Sequence, residues 1–422
     1  MRKENPTPDF IAAEHAVMKY WEDNKCFEKL VKQNENGERF RFLDGPITAN
    51  NAMGIHHAWG RTLKDTFIRY NAMHGKSCQY QNGFDSQGLW VEVETEKEIG
   101  TKDKRDIIEY GMDKFTEKCM ERVRKFSGVI TEQSKRLGQW MDWEHSYFTN
   151  TDLNITSIWY FLKVCHEKGY LVKSHRPMPW CPRCGTSLSE HEMSGSYKDV
   201  KHTSIYGKLE IKGTNDKILV WTTTPWTLTS NVALAVNPDI DYVRVRVKSD
   251  EKTLILGKDA LKKLKGDVIE VLDEFKGKEL LGKEYVTVFP EFDVQNFTHK
   301  IVPWEDVDAT EGVGVVHIAP GCGAEDFELG KRENLPAICP IDDEGIITEG
   351  FGVLTGMRTS EVLDTVVKIM TERNTLYRTE EIEHSYPHCW RCKHEVVFKL
   401  VDEWSIATAE LKPSLIAAAN TV

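Results

Sequence analysis

Two Cys-x-x-Cys pairs, separated by about two hundred residues, constrain this chain more than any other feature. The first pair is Cys181 and Cys184, and the second is Cys389 and Cys392. Two intervening residues let a tight turn present both sulfur atoms to one metal ion, and four thiolates at ~2.3 Å complete a tetrahedral zinc site. The spacing therefore predicts one structural Zn²⁺ ion that both pairs share.

The gap between the pairs is far longer than the ~15–20 residues of a compact zinc ribbon. The intervening segment must leave and return at neighbouring points, which predicts an inserted domain. The alternatives are a redox dithiol, unrelated buried cysteines, and two incomplete metal sites. His191 and His388 are spare nitrogen ligands. A catalytic zinc is disfavoured because four thiolates leave no open position for water.

Composition narrows the class of protein. A length of 422 residues predicts two or three domains. The chain has no run of ~18 apolar residues, which predicts no membrane span, and its start lacks a signal peptide's apolar stretch. The net charge of −11 argues against a protein that coats nucleic acid with a broad basic surface, regardless of sequence. It is compatible with a local basic groove. The other six cysteines fit free thiols in a reducing compartment. We expect a cytoplasmic protein.

Hydrophobic periodicity predicts a nucleotide-binding architecture near the amino terminus. We expect a helix over 9–33, strands at 39–43 and 77–81, and a helix from about Ile55 between those strands. Strand, glycine-bearing turn, helix and strand form a βαβ unit with a parallel sheet. Such sheets bind ligands at the carboxyl ends of their strands.

The remainder divides into helical and β-rich regions. Residues 104–140 and 151–170 are predicted to be mainly helical. Glycine turns beyond them separate short apolar runs typical of strands, at 218–224, 242–247, 253–256, 268–271, 285–289 and 314–318. We therefore predict three segments, namely 1–195, an inserted β-rich domain at 196–385, and a return at 386–422. The final residues, Ala417-Ala-Ala-Asn-Thr-Val422, read as cut inside an element.

Six separated motifs then carry a resemblance along nearly the whole chain. They are Asp44-Gly-Pro-Ile-Thr-Ala-Asn50, Gly83-Phe-Asp-Ser-Gln-Gly88, Trp180-Cys-Pro-Arg-Cys-Gly-Thr-Ser-Leu-Ser189, Trp221-Thr-Thr-Thr-Pro-Trp-Thr-Leu228, Gly312-Val-Gly-Val-Val-His-Ile-Ala-Pro320 and the second cysteine pair. In this order they resemble the class I aminoacyl-tRNA synthetases, most closely the isoleucyl type. The resemblance implies a Rossmann-type catalytic domain that an editing domain interrupts.

The family activates an amino acid with ATP and then esterifies it to tRNA. The resemblance therefore implies ATP with Mg²⁺, L-isoleucine and an isoleucine-accepting tRNA as partners of a monomer. The Lys-Met-Ser-Lys-Ser loop of the family is not in this sequence. We expect the chain to be an amino-terminal portion that cannot complete aminoacylation. The alternatives are a stand-alone editing hydrolase and a non-catalytic tRNA- or partner-binding relic.

The family's ATP loop matches Gly45, Pro46 and the start of the helix near Ile55. Its His-Ile-Gly-His signature, which contacts the triphosphate, is replaced here by Gly54-Ile-His-His57. His57 keeps the last histidine, and His56 stands where glycine is expected. His56 either obstructs the nucleotide or replaces the missing histidine as a catalytic group. The alternative is that His56 and His57 are simply exposed residues at the start of a helix.

The resemblance also assigns the amino-acid-binding and editing residues. Asp85 matches the carboxylate that holds the substrate ammonium group, with a turn aspartate as the alternative, and Trp404 matches a substrate-side aromatic residue. Isoleucine and valine differ by one methylene, so a second site must hydrolyse valyl products. Its implied residues are Thr222, Thr223, Thr224, Trp226, His317 and Asp326. β-Propensity explains the threonines equally well, and a satisfied buried histidine explains His317.

Overall fold

A computed structural model describes residues 9–42, 45–101, 104–308, 310 and 312–421. The chain forms two compact units, residues 1–170 and residues 171–422. The predicted boundaries at 195/196 and 385/386 stay a prediction. Within the described residues, no helix combines the length and the apolar character needed to cross a bilayer.

The first unit contains seven helices and five strands among its described residues. The helices are α1 (Phe10–Asp23), α2 (Cys26–Gln33), α3 (Ile55–Met73), α4 (Leu89–Ile99), α5 (Lys104–Tyr110), α6 (Met112–Arg136) and α7 (Asp152–Glu167). The strands are β1 (Arg39–Phe40), β2 (Ile47–Thr48), β3 (Ser77–Cys78), β4 (Gln81–Asp85) and β5 (Asp142–Phe148).

The strands of this unit are parallel, and α3 is the crossover between them. β1 pairs with β3, and β4 lies between β2 and β5. The predicted βαβ unit is therefore confirmed. The core of this unit forms where α4 and α6 pack against the sheet. Its buried apolar residues are Ala49 and Phe84 from the sheet side, Val91 from α4, and Val123 and Ile130 from α6.

The prediction of a single helix over 9–33 is wrong, because the first helix ends at Asp23 and a second begins at Cys26. Asn24 ends α1, with its side-chain Nδ2 donating to the Tyr20 carbonyl at 2.9 Å. Lys25 then adopts a left-handed conformation with φ of 47° before α2 begins. Asparagine competes with the helix for backbone hydrogen bonds, and hydrophobic periodicity does not report this competition. Leu43, the last residue of the strand predicted at 39–43, lies outside the described residues.

The second unit is β-rich. Its strands are β6 (Leu171–Cys181), β7 (Thr186–Ser187), β8 (Tyr197–Glu210), β9 (Asp216–Thr222), β10 (Ala233–Val236), β11 (Asp241–Val247), β12 (Thr253–Gly257), β13 (Val268–Lys276), β14 (Lys300–Pro303), β15 (Val316–Ile318), β16 (Leu376–Pro387) and β17 (Val397–Ile406). Its helices are α8 (Glu190–Met193), α9 (Ala324–Glu333), α10 (Leu363–Glu372) and α11 (Lys412–Ala419). 3₁₀-helices include Pro225–Ser230.

A six-stranded sheet in the order β13-β11-β12-β9-β8-β16 forms the centre of this unit. β8 and β16 are antiparallel along their length, with Tyr197 opposite Pro387. The chain thus enters and leaves the β-rich part through adjacent strands, as the cysteine spacing predicted. β6 and β17 form a second antiparallel pair, from Trp180 opposite Val397 to Leu171 opposite Ile406. The predicted fold class, parallel α/β with a β-rich insertion, is confirmed.

The strand predicted at 285–289 is wrong. Residues 285–289 form no strand, although Tyr285 makes one isolated bridge to Ile211. Tyr285 and Phe289 are fully buried, and the Tyr285 hydroxyl donates to the Asn231 side chain at 2.6 Å. The apolar alternation of this segment reflects packing into the core beside the sheet, which has the same sequence signature as a half-buried strand.

Candidate functional site

The four cysteines of the two pairs come together in the second unit. Their sulfur atoms lie within 4.8 Å of one another, and the Sγ atoms of Cys181 and Cys392 are 3.4 Å apart. A tetrahedron of ~2.3 Å bonds has edges of about 3.8 Å. Cys181, Cys184 and Cys389 are buried. The cluster could therefore hold a metal ion, and all four predicted ligands contribute to it.

The two turns that present these sulfur atoms share one backbone device. Gly185 and Lys393, each directly after the second cysteine of its pair, have φ of 61° and 66°. The left-handed residue folds the chain back, and the N–H of Cys184 donates to Cys181 Sγ at 3.4 Å. A glycine adopts this conformation freely, whereas a lysine adopts it at some cost.

Hydrogen bonding within the cluster favours the thiolate form of the second cysteine pair, whereas the pKa of Cys181 and that of Cys184 are raised. Hydrogen bonds from Cys181 and Cys184 lower the pKa of both Cys389 and Cys392. The thiolate is the form that binds metal. The two histidines proposed as spare ligands are not needed, since His191 is exposed and His388 Nδ1 contacts the Tyr386 carbonyl at 3.0 Å.

The predicted ATP loop of the first unit leads into the N-terminus of α3. The backbone N–H of Gly54 donates to His57 Nδ1 at 3.1 Å, so the His57 side chain closes the first turn of α3. Burial, then the neighbouring His56 and Arg61, lowers the pKa of His57, which keeps its ring neutral near pH 7. His56 is exposed and its ring lies 3.8 Å from that of His57, centroid to centroid.

The two residues predicted before this helix have different surroundings. Gly45 is exposed, and a Cβ added to it would meet no heavy atom within 4 Å. Pro46 is half-buried and precedes β2. The space around Gly45 leaves room for a ligand to approach its backbone. Asp44, which opens the same motif, lies outside the described residues.

Asp85 lies at the carboxyl end of β4, where parallel sheets bind ligands. Its two carboxylate oxygens accept hydrogen bonds from Thr48 Oγ1 at 3.1 Å and from Thr149 Oγ1 at 3.3 Å. Thr48 ends β2, and Thr149 follows β5, so each neighbouring strand contributes one hydroxyl. This arrangement fixes the carboxylate and leaves it half-buried. Thr48 and Thr149 were missed by sequence reasoning, because strand pairing alone brings them to Asp85.

Trp404, predicted as the substrate-side aromatic residue, belongs to the second unit. It lies in β17 opposite Lys173, with 67% of its surface exposed. A single exposed apolar side chain is ordinary at a protein surface, so the substrate-side role of Trp404 stays a prediction.

The predicted editing residues begin where β9 ends. Thr222 Oγ1 lies 3.3 Å from Thr224 Oγ1, and Thr224 Oγ1 lies 3.2 Å from Thr227 Oγ1. Thr227 Oγ1 lies 3.0 Å from Nε2 of His317, on β15. The structure thus connects Thr222, Thr224 and His317 through Thr227, a residue that sequence reasoning missed. The hydroxyl at the first turn of a 3₁₀-helix was the available signal.

The tautomer of His317 follows from this series of hydrogen bonds. Thr227 Oγ1 donates to the Thr224 carbonyl at 2.8 Å, so it accepts from a protonated His317 Nε2. Burial lowers the pKa of His317 to about 4, which makes the ring neutral at pH 7. Its Nδ1 is then an unprotonated acceptor, buried and without a partner among the described residues.

Asp326 lies in the first turn of α9, next to this histidine in the fold. One of its carboxylate oxygens accepts the N–H of Ala319 at 2.7 Å, two residues beyond His317. Burial raises the pKa of Asp326 to about 6, against the opposing effect of the Ala319 hydrogen bond. A half-buried carboxylate with a raised pKa gains most from a cationic partner.

The two remaining predicted editing residues have contrasting positions. Thr223 is half-buried between Thr222 and Thr224. Trp226 is buried, with 6% of its surface exposed, and belongs to the main hydrophobic core of the unit. Its role as a pocket-closing residue stays a prediction.

The sequence of this chain is similar to one family of known proteins. The family model described as tRNA synthetases class I (I, L, M and V) matches residues 16–422. Isoleucine–tRNA ligase of Pyrococcus furiosus is 40% identical over 418 residues, covering 96% of this chain and 39% of its own length. The same enzyme of Clostridium novyi is 40% identical over 416 residues, covering 98% of this chain and 40% of its own.

The chain aligns with a leucyl-tRNA synthetase of Agrobacterium radiobacter K84 at a TM-score of 0.37 and 12% identity, covering 92% of this chain and 52% of that one. The chain spans about two fifths of the length of the curated relatives it matches.

Proposed function

Because this chain belongs to the class I tRNA synthetases of the isoleucine, leucine, methionine and valine group, we propose that it supplies an isoleucine–tRNA ligase with its ATP loop, amino-acid-binding carboxylate and editing domain. In the proposed reaction the isoleucine carboxylate attacks the α-phosphorus of ATP, which forms an adenylate and releases pyrophosphate. A hydroxyl of the tRNA then attacks the carboxyl carbon, which forms the ester and releases AMP. The observation that carries this proposal is the carboxylate of Asp85, which hydroxyls from both neighbouring strands hold at the carboxyl end of the parallel sheet.

In the proposed activation step, Asp85 receives the ammonium group of isoleucine. A fixed carboxylate orients that group, because Thr48 and Thr149 hold its oxygens and no reorganisation is needed on binding. ATP arrives with Mg²⁺ at the start of α3. His57 presents a neutral ring there, and the helix N-terminus favours phosphate. His56, whose ring lies beside that of His57 at an angle of 43°, is proposed to replace the family histidine for which Gly54 stands in this sequence.

The test is binding of a non-hydrolysable isoleucyl adenylate to the 422-residue chain, measured by calorimetry. Asp85→Asn should weaken binding about 100-fold, because it removes the charge that pairs with the ammonium. Asp142→Asn is the matched control, since the carboxylate of Asp142 in β5 is 49% exposed and pairs with the exposed His145 at 2.8 Å. Equal affinity of Asp85→Asn and wild type contradicts the proposal.

Binding is the readout because we also propose that these 422 residues do not complete aminoacylation by themselves. They contain no Lys-Met-Ser-Lys-Ser sequence. Pyrophosphate exchange catalysed by this chain alone at the rate of a complete ligase argues against that part of the proposal and leaves the role of Asp85 intact.

The second proposed activity is hydrolysis of valine esterified to the isoleucine-accepting tRNA. It is supported by the hydroxyl chain from Thr222 to His317 and by the half-buried Asp326. Asp326 anchors the substrate ammonium, the threonine hydroxyls bind the ribose and ester, and the free Nδ1 of His317 accepts a hydrogen bond from a positioned water. The ester bond breaks by attack of that water, so no protein nucleophile is required.

We propose that the cysteine cluster holds a structural Zn²⁺ ion. Four thiolates satisfy zinc completely and leave no site for substrate. The ion ties the turn after β6 to the turn before β17, where the β8–β16 strand pair begins. Arg391 and Trp390 of the second turn both bond to Glu192 of α8, which supports the same junction.

Cys389→Ser should reduce the zinc content of the purified chain from about one ion to none, because three thiolates hold the ion much less tightly. The measurement is elemental analysis after dialysis against a mild chelator. Cys165→Ser removes a buried free thiol of the first unit and should leave the zinc content unchanged. Full occupancy in Cys389→Ser rules out a site shared by all four cysteines.

A further inference from the structure

A second cluster of metal-binding side chains lies on the β8–β16 strand pair, outside every site described above. His202 on β8 and His384 on β16 are diagonal neighbours on one face, since Ile382 is opposite His202 and His384 is opposite Val200. His202 Nδ1 lies 3.0 Å from His384 Nε2. Nε2 of the same His202 ring lies 3.2 Å from Glu395 Oε1.

We propose that His202 and His384 together bind a divalent transition-metal ion of the zinc type, with Glu395 as the carboxylate that orients His202. This site goes beyond the proposed ligase and editing functions and uses none of their residues. Nitrogen ligands at ~2.1 Å from a tetrahedral zinc ion lie about 3.4 Å apart. The two ring nitrogens are 3.0 Å apart, so they need to separate by only about 0.4 Å to share one ion.

The carboxylate of Glu395 determines which ring nitrogen of His202 carries the proton. Glu395 accepts the proton of His202 Nε2, so the Nδ1 lone pair of His202 points toward His384. Metal-binding histidines characteristically donate their other ring N–H to a carboxylate in this way. Without metal, His384 Nε2–H donates to His202 Nδ1. On binding, His384 shifts its proton to Nδ1, two metal–nitrogen bonds form, and water completes the coordination shell.

One aromatic ring flanks both imidazoles, whose neutral form is the one that binds metal. The Tyr386 ring packs edge-on against both imidazoles, at centroid distances of 4.9 Å and 5.6 Å. The His202 side chain retains 23% of its exposure, so an ion can reach the nitrogens from solvent.

The adjacent β6–β17 pair offers an internal comparison. His175 Nδ1 lies 2.6 Å from Asp402 Oδ1 across that pair, so it also has a carboxylate partner. His175 has no second imidazole within hydrogen-bond distance among the described residues. It therefore separates the contribution of a histidine–carboxylate pair from that of two converging histidines.

The test is calorimetric titration of Zn²⁺ into the full chain that already carries one equivalent. Wild type is expected to take up one further equivalent, and His384→Gln none. Glu395→Gln should retain the site with affinity lowered ~10–100-fold, because the ligands stay while their orienting partner is lost. His175→Gln should match wild type. Failure of wild type to bind the further equivalent, or unchanged uptake by His384→Gln, overturns the proposal.

A second measurement needs no variant. Cobalt bound by imidazole nitrogens gives no sulfur-to-metal charge-transfer absorption, whereas cobalt in the four-cysteine cluster does. In a titration with Co²⁺, the first equivalent is expected to raise that absorption and the second to leave it unchanged. A second equivalent that raises it further places the ion on sulfur and contradicts the histidine site.

Discussion

Asp326→Asn should lower hydrolysis of valyl-tRNA for isoleucine about 100-fold in kcat/KM. The proposed role of Asp326 is to pair with the substrate ammonium, and losing one partner of a largely desolvated charge pair costs about 2–5 kcal/mol. Asparagine keeps an oxygen that can accept the N–H of Ala319, so the first turn of α9 should stay intact. Deacylation of preformed valyl-tRNA by the chain measures the effect.

The adjacent carboxylate supplies the control. Glu325 lies in the same first turn of α9 but is exposed. Glu325→Gln removes one negative charge from the same helix end and should change the rate less than about twofold. Equal losses in the two variants identify a general charge effect and contradict a specific ammonium contact.

The pKa of Asp326 also gives the reaction a pH dependence. Burial raises that pKa to about 6, and only the ionised carboxylate pairs with an ammonium. In wild type, kcat/KM should rise with pH up to about 6 and then level off, whereas Asp326→Asn should lack this rise. Because the folded-state pKa exceeds the usual 3.8, ionising Asp326 lowers stability as pH increases from about 4 to about 6.

Asp250→Asn should destabilise the second unit by about 3–5 kcal/mol, the cost of breaking a buried ion pair. Asp250 Oδ2 accepts from Lys208 Nζ at 2.6 Å and from Lys217 Nζ at 2.8 Å. The side chains of the three residues are at most 8% exposed. The neutral amide leaves two ammonium groups buried without a counter-charge. Urea unfolding, followed by tryptophan fluorescence, measures the change.

The surface offers a matched control for this ion pair. Glu270 pairs with Arg246 at 2.8 Å, with both side chains more than half exposed. Glu270→Gln should cost no more than about 1 kcal/mol, because exposed pairs contribute little. A comparable loss in both variants contradicts a special cost of burial at Asp250.

Acid should reproduce the effect of Asp250→Asn in the wild type. Burial alone raises the pKa of Asp250, but hydrogen bonds from Lys208 and Lys217 outweigh it and lower that pKa to about 2. A folded-state pKa below the unfolded value contributes stability above about pH 4. That contribution is lost as pH falls from about 4 to about 2, and the pH dependence should be weaker in Asp250→Asn.

Features with strict local geometry were predictable from the sequence. A Cys-x-x-Cys turn limits where its sulfur atoms can point, so two such turns predicted the cluster and the neighbouring entry and exit of the insertion. The βαβ unit around α3 was predictable for a similar reason, since apolar periodicity and turn residues agreed. The segments predicted correctly are those in which hydrophobic periodicity, turn residues and spacing all indicate the same structure.

Features that depend on partners distant in sequence were not predictable. Thr149 reaches Asp85 only because β5 pairs with β4, and β5 itself, with Trp143, Glu144 and His145, has no apolar alternation. Thr227 meets His317 across ninety positions of sequence. The side chain of Asp250 is buried only because the fold brings Lys208 and Lys217 to it from more than thirty positions away. Pairing across long separations leaves no periodic signal in a single sequence.

The adjacent strands β8 and β16 also bear on how such a protein is assembled in evolution. Directly opposed residues of two antiparallel strands, such as Tyr197 and Pro387, lie only about 5 Å apart. A short hairpin turn can bridge that distance. The whole β-rich module can therefore be exchanged, or replaced by a turn, at a single crossing point without changing the path of the chain on either side.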